Sequence, residues 1–227
     1  MTESVIARLK SMANPANVAG MARYGISTEG LLGVSIPKLR TIAKEHRRDH
    51  ALAAGLWDSG IHEARMLASL VDDPAEVDEA QMERWVAVID SWDICDGVTN
   101  NLFRRTPPAW RKAREWARRD ETFVRRAGFS LMASLAVHDK SAPDAKFLAL
   151  LPLIRRAAVD ERNFVRKAVN WALRQIGKRN LALNVAAVTE AREIVKLDSR
   201  SARWIARDAL RELTGAAVQK KVHSMLC

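Results

Sequence analysis

The chain has 227 residues, carries a formal net charge of +10, and is 48% hydrophobic. This length and apolar content suffice for one large domain or a repeat array, and no run of about eighteen apolar residues is present to cross a membrane. The first residues, Met1 to Ser4, lack the basic and apolar regions of a signal peptide, so we expect a cytoplasmic protein. Cys95 and Cys227 are the only cysteines, which argues against a disulfide framework.

Charge is distributed unevenly along the chain. Residues 1–103 carry 10 Lys and Arg against 15 Asp and Glu, a net charge of −5. Residues 104–227 carry 27 against 12, a net charge of +15. Such asymmetry creates a directional field that attracts polyanions to the basic half, and charge alone leaves both DNA and RNA open. We expect a single domain over residues 1–227 with an acidic half (1–103) and a basic half (104–227).

Helix-forming residues dominate, and turn-forming residues punctuate them at intervals. Proline suits the first turn of a helix, so the prolines predict helix starts near Pro15, Pro37, Pro74, Pro107 and Pro108, Pro143 and Pro152. The glycines Gly25, Gly30 and Gly33 do not have the spacing of a dinucleotide-binding motif and predict a turn between helices.

The basic half contains an internal repeat. Residues 123–127 read FVRRA and residues 164–168, 41 positions later, read FVRKA, while WALR at 171–174 is echoed by DALR at 208–211. A period near 40 residues in an all-helical chain predicts an all-α, HEAT-like or armadillo-type helical repeat solenoid with one concave surface. Three basic pairs at successive repeat positions predict a stripe along a phosphate backbone: Arg125 with Arg126, Arg166 with Lys167, and Arg203 with Arg207.

Residues 91–96, SWDICD, carry the strongest chemical signal. Trp92 and Asp96 are four residues apart and therefore share one face of a helix. A ring beside a carboxylate suits a cationic ligand, and a chemically damaged base in a nucleic acid is a cation carried by a polyanion. The alternative is that Trp92 is core and Asp96 caps a helix. Asp93 is turned about 100° away and is expected to bind its own helix end or a neighbouring arginine.

Other candidate reactive residues have a simpler interpretation. Cys95 has no histidine near it in sequence and is expected to be a buried structural thiol. The five histidines are scattered, so no metal or cofactor site is expected. Trp85 lies seven residues before Trp92 on about the same helical face and is expected in the core rather than in the site. Four tryptophans without supporting partners are expected in the core or in packing between repeats: Trp57, Trp110, Trp116 and Trp204.

Together these motifs resemble the AlkD-type bacterial DNA alkylation repair glycosylases, which are HEAT-like repeat proteins, over about residues 20–215. The WDxxD segment matches the family's catalytic tryptophan and aspartate at Trp92 and Asp96. The VRR segment at 124–126 matches the segment of its active-site arginine at Arg126, and residues 164–174 match the segment of its second active-site tryptophan at Trp171. The resemblance therefore implies that these four residues form the catalytic site.

The resemblance also implies contacts with DNA by the basic half and by part of the acidic half. Tyr24 lies eleven residues before Ser35 in GVSIPK (33–38), a spacing similar to that of the family's DNA-facing tyrosine and turn, although Ser35 and Ile36 depart from its Gln-Thr pair. The expected DNA-binding residues are Tyr24, Ser35, Lys38, Arg125, Arg166, Lys167, Lys178, Arg200 and Arg203.

The activity implied by the resemblance is hydrolysis of the N-glycosidic bond of positively charged N3- or N7-alkylated purines in duplex DNA, in base excision repair by a monomer. The implied roles are stabilisation of charge on the deoxyribose by Asp96, packing on the sugar–phosphate backbone by Trp92 and Trp171, and a phosphate contact by Arg126. Two other functions stay open: a non-catalytic DNA-binding repeat protein and a HEAT-type protein scaffold.

Overall fold

The computed structural model describes residues 1–26 and 30–224, and Cys227 lies outside them. The chain forms two compact units, Met1–Pro108 and Ala109–Cys227. The first unit carries 12 Lys and Arg against 15 Asp and Glu, a net charge of −3, and the second carries 25 against 12, a net charge of +13. The division into units therefore nearly coincides with the division of charge. The single domain remains a prediction.

The described part of the first unit is helical, without strands. Its helices are α1 (Thr2–Ser11), α2 (Pro15–Ala22), α3 (Ile36–Glu45), α4 (His50–Asp58), α5 (His62–Val71), α6 (Glu79–Ala87) and α7 (Trp92–Asn101), followed by a 3-10 turn at Phe103–Arg105. Helix α5 packs against α3, α4 and α7, so its apolar residues lie at the centre of this unit.

The second unit contains eight further α-helices within its described residues. They are α8 (Ala109–Trp116), α9 (Thr122–His138), α10 (Asp144–Leu148), α11 (Leu151–Ala157), α12 (Asn163–Gly177), α13 (Leu181–Ile194), α14 (Arg200–Leu213) and α15 (Ala216–His223). Long helices α9 and α12 pack against each other, and α14 packs against α12 and α13.

Helix starts follow the prolines with one exception. Five helices have a proline in their first two residues or directly before them, as predicted: Pro15 in α2, Pro37 in α3, Pro108 before α8, Pro143 before α10 and Pro152 in α11. The prediction at Pro74 is wrong, because Pro74 lies in a turn and α6 begins only at Glu79. The side chain of Asp78 accepts a hydrogen bond from the Gln81 amide and sets that start.

The sequence repeat corresponds to a structural repeat. The FVRRA segment begins α9 and the FVRKA segment begins α12, and the rings of Phe123 and Phe164 lie 5.4 Å apart between the two helices. Each repeated helix buries its alanine and branched aliphatic residues against the next one. The helical repeat architecture predicted from the 41-residue spacing is confirmed.

Polar contacts also join successive repeats. Arg125 donates to the Asp160 carboxylate at 2.9 Å, and Arg162 donates to the Asp120 carbonyl at 2.5 Å. Burial acts to raise the pKa of Asp160, but hydrogen bonds from Arg162 and Arg125 outweigh it and hold the pKa below its ordinary value. The Asp120 carboxylate also pairs with Arg125 at 2.8 Å, so the acidic residue before each of the two repeats is a partner for an arginine.

The structure separates the tryptophans into core and surface. Trp57, Trp85 and Trp116 are buried, as predicted. Trp110 packs its ring edge against Phe147 at 5.0 Å. Trp204 is 38% exposed and is therefore not a core residue, but its contact with Arg166 of α12 agrees with the expected packing between repeats.

Candidate active site

Helix α7 begins at Trp92 and presents two of the predicted catalytic side chains. Trp92 and Asp96 are both partly exposed, one turn apart on the same face. The opposite side of the helix is anchored by buried residues that include Cys95, which is fully buried as predicted. Packing against α5 is close, because a Cβ at Gly97 would lie 2.5 Å from the Met66 sulfur. The core therefore fixes how α7 presents Trp92 and Asp96.

Asp93 stabilises the start of α7. Its carboxylate accepts a short hydrogen bond from the Ser91 hydroxyl and pairs with His62 Nε2 at 2.7 Å. Burial acts to raise the pKa of Asp93, but the bonds from His62 and Ser91 and the backbone amide of Ile94 outweigh it, so the pKa lies below its ordinary value. Asp93 does bind its own helix end, as expected, and its other partner is a histidine rather than an arginine.

A hydrogen bond connects Trp92 to the predicted DNA-facing tyrosine. The indole Nε1 of Trp92 donates to the backbone carbonyl of Tyr24 at 3.0 Å. The Tyr24 side chain is 71% exposed, and Ser35 and Lys38 at the start of α3 are exposed as well. The first unit therefore presents all three of its predicted DNA-binding residues on its surface, one of them attached to the helix that carries Asp96.

The turn before α3 is held by a buried carboxylate. Glu63 is 2% exposed and accepts hydrogen bonds from the backbone amides of Leu32 at 2.8 Å, Gly33 at 2.5 Å and Val34 at 3.2 Å. Gly33 has φ of +77°, and a Cβ there would lie 2.3 Å from the Asn14 carbonyl oxygen. The predicted glycine turn is confirmed at this position, and only glycine fits it.

His62 and Glu63 are functional candidates that the sequence interpretation missed. Adjacent at the first turn of α5, they bind Asp93 of α7 and the turn before α3. A single helix start therefore positions both the segment that carries Trp92 and the one that carries Ser35. The available signal was two ionisable residues at the beginning of a helix whose other inward positions are apolar.

The second unit holds the other two predicted catalytic residues on the repeated helices. Arg126 of α9 is 5% exposed, and its Nη1 donates to the Phe164 carbonyl at 2.7 Å. Trp171 of α12 is partly exposed. The neighbouring Asn170 donates to Asp208 of α14 at 2.7 Å, which fixes the middle of α12 beside Trp171. Arg126 is thus largely enclosed, whereas Trp171 reaches the surface.

Several predicted phosphate contacts already have acidic partners. Arg125 binds Asp160 at 2.9 Å with its side chain 19% exposed, and Lys178 binds Glu212 at 2.6 Å with its side chain 22% exposed. Both cations pair with a carboxylate of the next repeat, so the basic stripe is less continuous than its sequence spacing suggests. A role for Arg125 or Lys178 in binding DNA stays a prediction.

The remaining predicted contacts are more accessible. Lys167 and Arg200 are exposed. Arg203 pairs with the fully exposed Asp198 at 3.3 Å, a solvent-facing contact that competes weakly with a phosphate. Arg166 lies over the ring of Trp204, with its guanidinium carbon 5.1 Å from the ring centroid. Among the predicted contacts of the second unit, the accessible cations therefore lie on α12 and α14.

Residues 1–26 and 30–224 show neither a metal-binding cluster nor a membrane-spanning helix. This part of the chain contains no group of three or more His, Cys, Asp or Glu that could hold a metal ion. It also contains no helix that is both long enough and apolar enough to cross a bilayer.

The repeated packing of the helices defines a HEAT-like helical repeat protein. The sequence profile of the DNA alkylation repair enzyme family matches residues 5–213. The chain belongs to this family. No curated protein matches it.

Comparison with solved structures supports the fold. One similar structure is described as a new family of proteins related to the HEAT-like repeat DNA glycosylases with affinity for branched DNA structures. It has a TM-score of 0.77 and 20% sequence identity, and the match covers 94% of this chain and 95% of that one. A crystal structure of an engineered protein matches with a TM-score of 0.40 and 12% identity, over 82% of this chain and 92% of that one. The first likeness shows a shared HEAT-like repeat fold.

Proposed function

We propose that this chain is a DNA glycosylase that hydrolyses the N-glycosidic bond of N3- and N7-alkylated purines in duplex DNA. The observation that carries the proposal is the partly exposed pair Trp92 and Asp96, one turn apart on α7, in a member of the DNA alkylation repair enzyme family. The net charge of +13 on the second unit supports DNA as the polyanion.

The proposed chemistry follows from the charge of the lesion. Alkylation at N3 or N7 places a formal positive charge on the purine, so the base leaves as a neutral molecule. Bond cleavage develops positive charge on the deoxyribose, and the carboxylate of Asp96 stabilises that charge. The same carboxylate orients a water molecule, which attacks the anomeric carbon and releases a proton as the sugar hydroxyl forms.

The remaining catalytic residues bind the DNA backbone in this proposal. Trp92 and Trp171 pack on the sugar–phosphate backbone beside the lesion, each contributing roughly 1 kcal/mol. Arg126 contacts the flanking phosphate, although its guanidinium also donates to the Phe164 carbonyl. Since the backbone rather than the base is bound, no deep base pocket is required, and adducts of different size should be accepted.

Base release from defined duplexes tests the proposal. Duplexes with one N7-methylguanine, one uncharged lesion such as uracil, or no lesion are incubated with excess protein, and free base is measured by chromatography. The proposal expects release from the methylated duplex alone. Equal release from all three, or no release from any, contradicts it.

A second candidate is a protein that binds branched DNA without excising a base. It is favoured by the likeness, over 94% of this chain, to the structure described as having affinity for branched DNA structures. Competition separates the two candidates: an unlabelled four-way junction is titrated against a labelled methylated duplex. A junction that binds far more tightly than the duplex, with no base release, supports the second candidate.

A further inference from the structure

Trp204 lies in a basic cleft on the surface of α14. It is 38% exposed and lines a cleft of about 440 Å³ with four arginines and one aspartate. A single exposed tryptophan is ordinary, but an indole surrounded by guanidinium groups is a recurring arrangement at nucleic-acid surfaces. The other lining residues are Arg200, Arg203, Arg207, Asp208 and Arg211.

The spacing of these residues places them on one side of the helix. Measured from Arg200, the lining residues Arg203, Trp204, Arg207 and Arg211 follow at +3, +4, +7 and +11, which is the spacing of one helical face. The inward face is apolar and buried, so packing determines which way the basic face points. Helix α14 is fixed in turn by Ser199, whose hydroxyl accepts from the Ala202 amide.

Positive charge in the cleft is only partly neutralised. Asp208 already accepts hydrogen bonds from Asn170 and Arg211. Within the described residues, Arg200 and Arg207 form no ion pair, and the pair of Arg203 is fully solvent-facing. A phosphate chain can therefore neutralise Arg200 and Arg207 without breaking a contact of the protein.

Trp204 itself is held in place on one side. The Arg166 guanidinium of α12 lies over the ring at 5.1 Å, and this contact joins α12 to α14. In the described part of the chain the Trp204 indole N–H has no hydrogen-bond partner. The ring is thus oriented by a cation while part of its surface and its donor remain open to a ligand.

We propose that Trp204 and the arginines of α14 bind an unpaired nucleotide, with its base stacked on the indole and its phosphates on Arg200 and Arg207. Bases inside a duplex are already stacked on both faces, so the ligand is a single-stranded segment that continues from a duplex, such as a tail or flap. This inference rests on the proposed function only in taking DNA as the ligand; it does not depend on base excision.

Three labelled DNAs separate stacking from phosphate binding: a blunt duplex, the same duplex with a thymidine tail of about ten nucleotides, and the same duplex with an abasic tail of equal length. Affinity is measured by fluorescence polarisation. We expect Trp204→Ala to weaken binding of the thymidine tail about tenfold, with less than a twofold change on the other two DNAs. Trp204→Phe retains a ring and should restore most of the affinity.

Two further variants complete the design. Arg207→Ala removes a phosphate contact, so it should weaken both tailed DNAs alike and reduce the slope of log affinity against log salt for them. Val185→Ala, at an exposed position of α13, is the matched control and should change nothing.

The outcomes distinguish this inference from the proposed function. If Trp204→Ala weakens all three DNAs equally, or none of them, the stacking site is wrong and the cleft belongs to a protein partner or to duplex phosphates. If the wild type prefers the thymidine tail, Trp204→Ala loses that preference, and no methylated base is released, the stacking site stands and the glycosylase does not. If the wild type binds none of the DNAs, both fail.

Discussion

The indole Nε1 of Trp92 donates a hydrogen bond of 3.0 Å to the backbone carbonyl of Tyr24, 68 residues earlier in the chain. It connects the first residue of α7 to the turn that follows α2, where the Tyr24 side chain is exposed. A predicted catalytic tryptophan and a predicted DNA-facing tyrosine therefore depend on one another for position.

Trp92→Phe tests that dependence. Phenylalanine keeps an aromatic ring but loses the donor, so we expect base release from methylated duplex to fall about two- to tenfold, in line with about 0.5–1.5 kcal/mol for one hydrogen bond. Single-turnover rates give the comparison. Trp110→Phe loses an equivalent bond to Asp139 of 2.9 Å and is the matched control. Full activity of Trp92→Phe would show that the bond to Tyr24 has no functional role.

The His62–Asp93 pair predicts a pH dependence of stability. The pKa of Asp93 is depressed in the folded chain, so its contribution is fully present above its unfolded value near 3.8 and is lost as pH falls through the lower folded value. We expect Asp93→Asn to reduce the free energy of unfolding by about 1–2 kcal/mol at pH 7, with a smaller deficit below pH ~3.8. Urea denaturation at several pH values measures both quantities.

Asp58 is exposed, so Asp58→Asn is the control for this series and should not lower the free energy of unfolding at pH 7. If the loss of unfolding free energy in Asp93→Asn grows as the pH is lowered, its sign is opposite to the expected one. That result would refute a stabilising role of the ionised Asp93 carboxylate.

Glu63→Ala should be among the most destabilising substitutions in the first unit. It removes the acceptor of three backbone amides, those of Leu32, Gly33 and Val34, and leaves buried donors without partners. We expect a loss of about 3 kcal/mol or more in the free energy of unfolding. Glu193→Ala, which breaks only a solvent-facing pair with Lys196, should stay within about 0.5 kcal/mol of wild type. Similar losses of unfolding free energy in both variants would disprove that Glu63 stabilises the turn before α3.

Two glycines give opposite predictions for the same substitution. Gly33→Ala forces a side chain into a φ of +77° and toward the Asn14 carbonyl, so it should destabilise the fold by more than about 1 kcal/mol. Gly20→Ala lies within α2 with no atom within 4 Å of the new Cβ, and should stabilise it by about 0.5–1 kcal/mol. Thermal unfolding of the two variants is the measurement, and a shift of the same sign in both contradicts the account.

Much of the fold is predictable because its signals are local. A proline in a first turn or a repeated FVR segment marks a helix wherever the rest of the chain lies, and Phe123 and Phe164 meet because equivalent positions of stacked repeats are neighbours. The shared helix face of Trp92 and Asp96 on α7 is likewise predictable from their four-residue spacing, which needs no tertiary information.

The missed features depend on contacts between distant segments. Glu63 binds amides about thirty positions earlier, and no sequence pattern indicates which loop a buried carboxylate will hold. The partial exposure of Trp204 was not expected, because large aromatic residues are usually buried, but its helix directs that position outward between Arg203 and Arg207. The pairing of Arg125 with Asp160 of the next repeat likewise joins residues 35 positions apart.

The most direct test of the central claim is the single-turnover release of N7-methylguanine by Asp96→Asn, measured with DNA saturating and beside the Asp58→Asn control. The account predicts that Asp96→Asn binds the methylated duplex within about twofold of wild type and releases base at least 100-fold more slowly, in line with the loss of a charge-stabilising group, while the control matches wild type. Release by Asp96→Asn at the wild-type rate would remove Asp96 from the chemistry and the glycosylase mechanism with it.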